Sequence, residues 1–339
     1  MPPVISGAMR FGLALPHYGF SFHDADRGGP LTFGRMAEVA LTAERLGFDS
    51  VWMSDHFFYS LDRYGEGAGR LGSLEPLTGL AALASVTERV RLGTLVLSAS
   101  FRHPAILAKT ATAIDLLSGG RLDLGIGSGW YEDEFHAFGY DFGTVGRRFE
   151  VLEETLEVLT RLLPGGPAGF DGARYRLRKA FNHPLPAQRP RPPIWVGGKG
   201  GPRLLGLAAR FADGWNSVWR WSPEAYADTA RAARQACEEV DRDPATLRLS
   251  VGLYCVIGED DADLRRRFEW LRQWHPGVLG GETLESYSRD TLTGTPERVV
   301  ERVEEFAAIG VEEIVISPAT LPFALPDPSA LDLVAEALL

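Results

Sequence analysis

The sequence predicts an α/β protein, a closed (β/α)8 barrel with insertion loops at its mouth. Eight short apolar runs alternate along the chain with longer segments in which apolar residues recur at helical spacing. The 339 residues are enough for eight strand–helix units with insertions, the usual size of a TIM barrel. A doubly wound open sheet is the alternative arrangement for the same alternation.

Four of the predicted strands lie in the first half of the chain. They are residues 11–15, 50–54, 90–97 and 121–126. Thr32 is the expected N-cap of the first helix, which ends at Gly47. Pro104 opens another helix, in a first turn where its missing N–H costs nothing, and that helix stops at Gly119 and Gly120.

The other four predicted strands follow a long helical stripe at residues 149–163. They are residues 194–196, 215–218, 247–257 and 311–316. Thr295 and Pro296 indicate the start of the last clear helix before Gly310 ends it. Most of the eight strands therefore have a helix after them, which favours the barrel.

We expect a single domain over residues 1–339, because no linker interrupts the strand–helix alternation. Three stretches break its rhythm, at roughly residues 57–77, 164–193 and 258–295. Long loops in compact domains are often functional, so we expect the first and the last to cover the barrel mouth.

Composition excludes several classes of protein. Asp and Glu number 45 against 35 Lys and Arg, and the net charge of −10 is opposite to the basic balance of nucleic-acid binders. No apolar run approaches the ~20 residues of a membrane span, and the N-terminus does not resemble a secretory signal. Cys237 and Cys255 are the only cysteines, which indicates a reduced, cytoplasmic protein.

Metal-binding patterns are weak in this sequence. His23, Asp24 and Asp26 lie close together, but a solvated loop explains them better than a ligand set. We therefore expect no metal and a small-molecule substrate as the partner.

Glycine-rich turns follow two of the strands, at the end where such a barrel carries its active site. One consists of Gly197, Gly198, Lys199, Gly200 and Gly201, just before a helix. Backbone N–H groups, the helix dipole and the lysine charge would together suit a phosphate. A flexible surface turn is the alternative.

The other turn consists of Gly127, Ser128, Gly129 and Trp130. It would let a flat ring lie against the backbone, although Trp130 stands where a dinucleotide-binding fingerprint needs glycine. Close packing alone would also explain these glycines.

His56 follows Asp55 directly at the end of the second strand. A histidine in a closed site can give or take a proton near neutral pH, which is worth about 10² to 10⁴ in rate. A structural role in the loop is the alternative.

Motifs spread in order over almost the whole chain resemble the bacterial-luciferase-like oxidoreductases, a family of flavin- or deazaflavin-dependent barrels. They are VWMSDH at 51–56, VRLGTLV at 90–96, FRHP at 101–104, DLLSGGR at 115–121, LGIGSGW at 124–130 with Glu134, WVGG at 195–198, ADGWN at 212–216 and GTPE at 294–297. The FRHP motif, with GSGW and the glutamate after it, is similar to the branch that uses coenzyme F420.

The resemblance implies a role for each turn. His56 would handle the proton beside the deazaflavin ring, and Asp55 would shape the ring pocket. Leu95 and Val96 would form a non-proline cis peptide behind the ring. Residues 127–129 and 197–201 would hold the tail and phosphate of the cofactor, and the family is typically homodimeric.

Two departures bear on the substrate. The sugar-phosphate dehydrogenases of this branch have a glutamate where this chain has Trp130, and a lysine where the loop here reads Trp219, Arg220 and Trp221. We therefore expect a more apolar or aromatic substrate, walled by these tryptophans and Trp52, with Arg220 leaving an acidic group possible.

Two other functions stay open. An FMN-dependent monooxygenase that uses reduced flavin and oxygen could share the same barrel, since a fold does not fix function. A flavin-binding protein without catalysis is the second alternative, although His56 argues against it.

Overall fold

Eight parallel strands close into a barrel in the computed structural model, which describes residues 9–23, 31–65, 67 and 69–339. The strands are β1 (Arg10–Ala14), β2 (Ser50–Met53), β3 (Arg91–Thr94), β4 (Leu122–Gly127), β5 (Ile194–Gly197), β6 (Gly214–Trp219), β7 (Arg248–Ile257) and β8 (Val311–Ser317). Each pairs with the next along the chain, and β8 pairs with β1. The predicted (β/α)8 barrel is confirmed, because an open sheet would leave two strand edges unpaired.

Eight outer helices bury their apolar faces against the strands. They are α1 (Phe33–Leu46), α2 (Pro76–Ala84), α3 (Pro104–Leu117), α4 (Val145–Leu162), α5 (Pro202–Phe211), α6 (Pro223–Glu238), α7 (Pro296–Ile309) and α8 (Ala330–Leu338). Thr32 caps α1 as predicted, and Gly47 ends it in the left-handed conformation at φ 103°. Thr295 precedes α7 without a side-chain cap bond, so Pro296 alone fixes that start.

Two insertions lie on the loops that follow β2 and β7. The first contains a hairpin of Phe58–Ser60 with Arg70–Gly72 around the 3-10 turn Leu61–Tyr64. The second contains helices Asp261–Trp274, Pro276–Leu279 and Leu284–Ser288 and the strand Leu292–Gly294, which pairs with the end of β7. Both follow strands, so they stand at the mouth.

The third insertion follows α4 and belongs to the opposite side. Its hairpin, Ala168–Asp171 with Arg176–Ala180, lies outside the barrel against α4. Farther on, the Asn182 amide donates to Thr112 on α3 at 2.7 Å, and Gln188 binds Asp115 on the same helix. This segment therefore packs on helices and leaves the mouth open.

Two buried tryptophans fill the barrel interior near the N-terminal ends of the strands. The indole N–H of Trp52 donates to Ser50 at 2.7 Å, and that of Trp195 donates to Asp123 at 3.1 Å. A Cβ on Gly93 would lie 2.1 Å from the ring of Trp52. The neighbouring strand must therefore carry glycine for the ring to fit.

Acidic side chains beneath these rings are paired. Ser50 donates to Glu313 at 2.5 Å, and Arg91 contacts Asp123 at 2.5 Å. Burial raises the pKa of Glu313, although the Arg10 guanidinium at 3.4 Å opposes that shift.

Among the described residues, no helix is long and apolar enough to cross a membrane. Within the same ranges, no three His, Cys, Asp or Glu side chains are grouped to hold a metal ion. Asp24 and Asp26 lie outside the described residues.

Candidate active site

A cavity of about 660 Å³ opens at the C-terminal ends of the strands, large enough for a cofactor-sized ligand. It is lined by residues of all eight strands or the loops after them, which explains why no single stretch of sequence contains the site. Fourteen predicted site residues line it: Asp55, His56, Leu95, Val96, Gly127, Ser128, Gly129, Trp130, Gly197, Gly198, Lys199, Gly201, Trp219 and Arg220.

His56 is held at the cavity by a buried carboxylate. Its Nδ1 lies 2.6 Å from Oε2 of Glu134, a side chain only 1% exposed. The other oxygen, Oε1, accepts the backbone N–H groups of Phe57 at 2.6 Å and Phe58 at 3.1 Å. A carboxylate fixed in this way orients the imidazole, and Nε2 is left as the ring nitrogen that can exchange a proton.

Asp55 holds the segment that follows the neighbouring strand, β3. Its two oxygens accept from the Arg102 guanidinium at 2.6 and 2.8 Å, and Oδ2 also accepts the N–H of Ser98 at 2.9 Å. Arg102 extends the network to Glu75 at the start of α2. Asp55 therefore fixes the segment after β3, which forms one wall of the cavity.

A buried chain of hydrogen bonds lines the cavity beside His56. Nδ1 of His17 lies 2.7 Å from the Leu15 carbonyl oxygen, which can only accept, so Nδ1 carries the proton. Burial lowers the pKa of His17 to about 4 and keeps the ring neutral, so Nε2 accepts from the Ser54 hydroxyl at 3.0 Å. Ser54 then accepts from the Tyr18 phenol at 2.5 Å. Tyr18 consequently has only lone pairs left for a ligand.

Backbone forms the floor of the cavity. The Leu95–Val96 peptide bond is cis, as the resemblance implies, and the Val218–Trp219 bond is also cis. A Cβ on Gly197 would lie 2.5 Å from a methyl of Val96, and one on Gly127 would lie 2.9 Å from the other methyl. Glycine at both positions leaves room for the Val96 side chain between the ends of β4 and β5.

One polar atom of this floor is unused. The hydroxyl of Ser98 is buried in the cavity wall and has no hydrogen-bond partner within the described part of the chain. A buried hydroxyl without a partner is costly, so a ligand with a polar edge would be favoured there.

The turn after β5 leads into α5 at the edge of the cavity. Gly201 is the N-cap residue of α5 and has no side-chain cap bond, so the first N–H groups of the helix are available to a ligand. Lys199 lies in the same turn, 4.9 Å above the ring of Trp221, and burial lowers its pKa.

Three predicted site residues are placed elsewhere. Gly200 faces α6, where a Cβ would lie 2.2 Å from Thr229, so it shapes the turn without lining the cavity. Trp52 points into the barrel interior, as described above, and cannot reach the mouth. Trp221 covers Lys199 from outside and donates to Ser217 at 2.9 Å.

Arg220 lines the cavity with its charge already neutralised. Its guanidinium makes two bonds to Glu282, at 3.0 and 2.9 Å, and one to Asp290 at 2.7 Å. These bonds tie the loop after β6 to the insertion after β7. Trp219 beside it stacks on Tyr254 with ring centroids 5.6 Å apart.

Residue-by-residue reasoning missed several members of the site. Glu134 follows the LGIGSGW motif, but the sequence predicts no role for it. Nothing in the sequence shows that it contacts a histidine 78 positions away. Arg102 in the FRHP motif and the pair His17–Tyr18 after the first strand occupy positions where the sequence indicates a site. Nothing in the local sequence indicates that Arg63 lines the cavity.

Residues 9–313 match the family model described as luciferase-like monooxygenase, so the chain belongs to that family. The F420-dependent glucose-6-phosphate dehydrogenase of Amycolatopsis mediterranei is 31% identical over 262 residues, which are 75% of this chain and 73% of the relative. The F420-dependent hydroxymycolic acid dehydrogenase of Mycobacterium tuberculosis is 32% identical over 237 residues, 70% of this chain and 62% of the relative.

Solved structures share the barrel. An F420-dependent secondary alcohol dehydrogenase in complex with an F420-acetone adduct matches 98% of both chains with a TM-score of 0.78 at 19% identity, which shows the fold alone. The monooxygenase RslO1 from Streptomyces bottropensis matches 97% of this chain and 98% of its own with a TM-score of 0.76 at 26% identity.

Proposed function

We propose that this chain is a coenzyme F420-dependent oxidoreductase that transfers a hydride between the deazaflavin and an apolar or aromatic organic substrate. The observation that carries the proposal is His56, held by buried Glu134 in a cavity that the two glycine turns also line. The F420-dependent relatives support the cofactor assignment.

The residues present fit this cofactor. Val96, Gly127 and Gly197 line the cavity and would contact a tricyclic ring, and the Ser98 hydroxyl suits a polar ring edge. Gly201, the first turn of α5 and Lys199 would hold the phosphate.

F420, when bound, supplies the hydride chemistry. The protein's part is the proton, and Nε2 of His56 would take it from a substrate hydroxyl or return it to a carbonyl. Glu134 keeps Nδ1 as the donor throughout, so Nε2 stays directed at the reacting group.

Aromatic side chains support an apolar substrate. Trp130 lies edge-on to His56 with ring centroids 5.7 Å apart, and Trp219 with Tyr254 forms another wall. The paired Arg220 offers no free charge to a sugar phosphate.

The proposal is tested by titrating the purified protein with F420 and, separately, with FMN, while following cofactor fluorescence. We expect F420 to bind at micromolar or lower concentration, and Lys199→Gln to weaken it about tenfold through loss of one charge contact. Lys179→Gln, on the outer hairpin, is the matched control and should bind like the parent. Preferential binding of FMN would overturn the cofactor assignment.

An FMN-dependent monooxygenase is the second candidate, favoured by the 26% identity to a monooxygenase of known structure. It predicts oxygen uptake with reduced FMN. Cofactor binding without turnover over a broad substrate panel would instead indicate a non-catalytic flavin protein.

The resemblance implies a homodimer and the cysteine usage indicates a cytoplasmic location, and both form part of this proposal. Light scattering on the purified protein should give twice the mass of one chain, and cell fractionation would test the location.

A further inference from the structure

Arg63 stands at the cavity mouth among three aromatic rings. Its guanidinium carbon lies 5.6 Å from the ring centroids of Tyr59 and Tyr64 and 5.1 Å from that of Trp130. Nη1 also donates to the Tyr59 hydroxyl at 3.3 Å. A guanidinium held against ring faces is fixed in place while most of its N–H donors stay unused.

Among the described residues Arg63 has no carboxylate partner, in contrast to Arg102 and Arg220. Arg102 is paired with Asp55 and Glu75, and Arg220 with two acids. No carboxylate of the described ranges lies within 4 Å of Arg63, although this chain carries a net charge of −10. An unpaired arginine facing an apolar cavity suits an anionic ligand group.

The indole ring of Trp130 is close to both the Arg63 guanidinium and the imidazole of His56. The same indole lies 5.1 Å from Arg63 and 5.7 Å from His56, measured to its ring centroids. A ligand group bound by Arg63 therefore stands about one fused ring system away from the imidazole. Lys199, which also lines the cavity, lies on the loop after β5 and is assigned to the cofactor.

We propose, on the basis of the proposed function, that the substrate is a flat apolar molecule with a carboxylate, and that Arg63 binds this carboxylate. The fork of guanidinium N–H groups matches two carboxylate oxygens. The ring body would lie along Trp130 and place the reacting carbon near His56. Arg63 is thus the residue that selects acidic over neutral substrates.

A purely structural role for Arg63 makes a different prediction. If the guanidinium only fastens the insertion after β2 to Trp130, its loss would loosen the mouth for every ligand. Neutral and anionic ligands of the same shape would then weaken equally.

The test measures binding of 2-naphthoate and 2-naphthamide by calorimetry, with the protein both free and saturated with F420. The two probes share their ring and differ in charge. We expect the parent to bind 2-naphthoate about tenfold more tightly. Arg63→Gln should equalise the two affinities, and Arg63→Lys should retain part of the preference because it keeps the charge.

Arg70→Gln is the matched control, because Arg70 stacks over Phe58 on the same insertion and does not line the cavity. It should keep the full preference for 2-naphthoate. Equal binding of both probes by the parent, or a preference that survives in Arg63→Gln, would overturn the inference. A preference that depends on Arg63 in protein that fails to bind F420 would support this inference and reject only the cofactor assignment.

Discussion

Both ends of the barrel contain buried acidic side chains in hydrogen-bond networks. The network at the N-terminal end is enclosed by the protein, whereas the one at the mouth borders the cavity. Near the N-terminal ends, Glu313 and Asp123 bind Ser50 and Arg91, and buried indoles close the space above them. At the mouth, Glu134 also binds its partners fully, but one of those partners, His56, still faces a cavity.

The difference lies in what the last group of each network contacts. At the closed end the indole N–H groups, the Ser50 hydroxyl and the Arg91 guanidinium donate to acceptors inside the protein, so their bonds contribute to stability and register. At the mouth His56, Tyr18 and Ser98 keep unused hydrogen-bonding capacity. Function is expected where a buried network is rigid but incomplete.

The sharpest test of this comparison is His56→Ala. Turnover with F420 and a substrate should fall by about 10² to 10⁴, because the proton carrier is lost. The free energy of unfolding should also fall, by about 1–3 kcal/mol, because Oε2 of the buried Glu134 loses its partner. His136→Ala, at an exposed position, is the control, and unchanged turnover in His56→Ala would remove the histidine from the mechanism.

The converse change is Trp52→Ala at the closed end. Chemical denaturation should show a loss of about 3–5 kcal/mol, because a large cavity opens in the core. F420 affinity of the folded protein should stay the same. Trp130→Ala is the matched control for stability: that side chain is 53% exposed, and its loss should cost less than about 1 kcal/mol.

Glu134→Gln tests the rigidity of the mouth. The backbone N–H groups of Phe57 and Phe58 would keep the amide oxygen where Oε1 now lies, so the amide NH2 would face Nδ1 of His56. That contact forces the opposite tautomer, and turnover should fall about 10²-fold at unchanged F420 affinity. Glu132→Gln, on the same short helix Glu132–Ala137, should behave like the parent.

His17 lies at the mouth but has the chemistry of the closed end. Its pKa is about 4 in the folded protein against 6.5 for an ordinary histidine, so between these values the unfolded chain binds more protons. The stability it contributes is present above pH 6.5 and is lost as the pH falls toward 4. Denaturation at pH 7.5 and pH 5 should show a loss of about 2 kcal/mol from this group, absent in His17→Gln. An identical pH dependence in both proteins would contradict the buried neutral ring.

Most of the fold could be predicted because strands and helices have distinct apolar spacings. Both ends of each barrel strand lie within one residue of the predicted bounds, with one exception. The strand predicted at residues 90–97 ends at Thr94. Two of the three helices after β7, Pro276–Leu279 and Leu284–Ser288, have only four and five residues, which is too short to show a helical spacing.

The structure places the predicted residues together at the cavity where a turn motif marks them, and places others elsewhere where the direction of the side chain decides. The glycine turns and His56 stand at strand ends, which any barrel places together. Trp52 precedes that end by a few residues, and its inward direction depends on Gly93 across the sheet. No local sequence pattern predicts the role proposed for Arg63. That role depends on three aromatic rings around the guanidinium and on the absence of a nearby carboxylate in the described structure.

The fit between Trp52 and Gly93 restricts how this chain can change over generations. A methyl at position 93 meets the indole at 2.1 Å, so that substitution is blocked while the tryptophan is present. Shrinking the tryptophan first leaves a void, which is costly but can be filled afterwards. Homologous chains that replace both residues must therefore replace Trp52 by a smaller side chain before a larger residue can replace Gly93. The steric contact alone fixes this order.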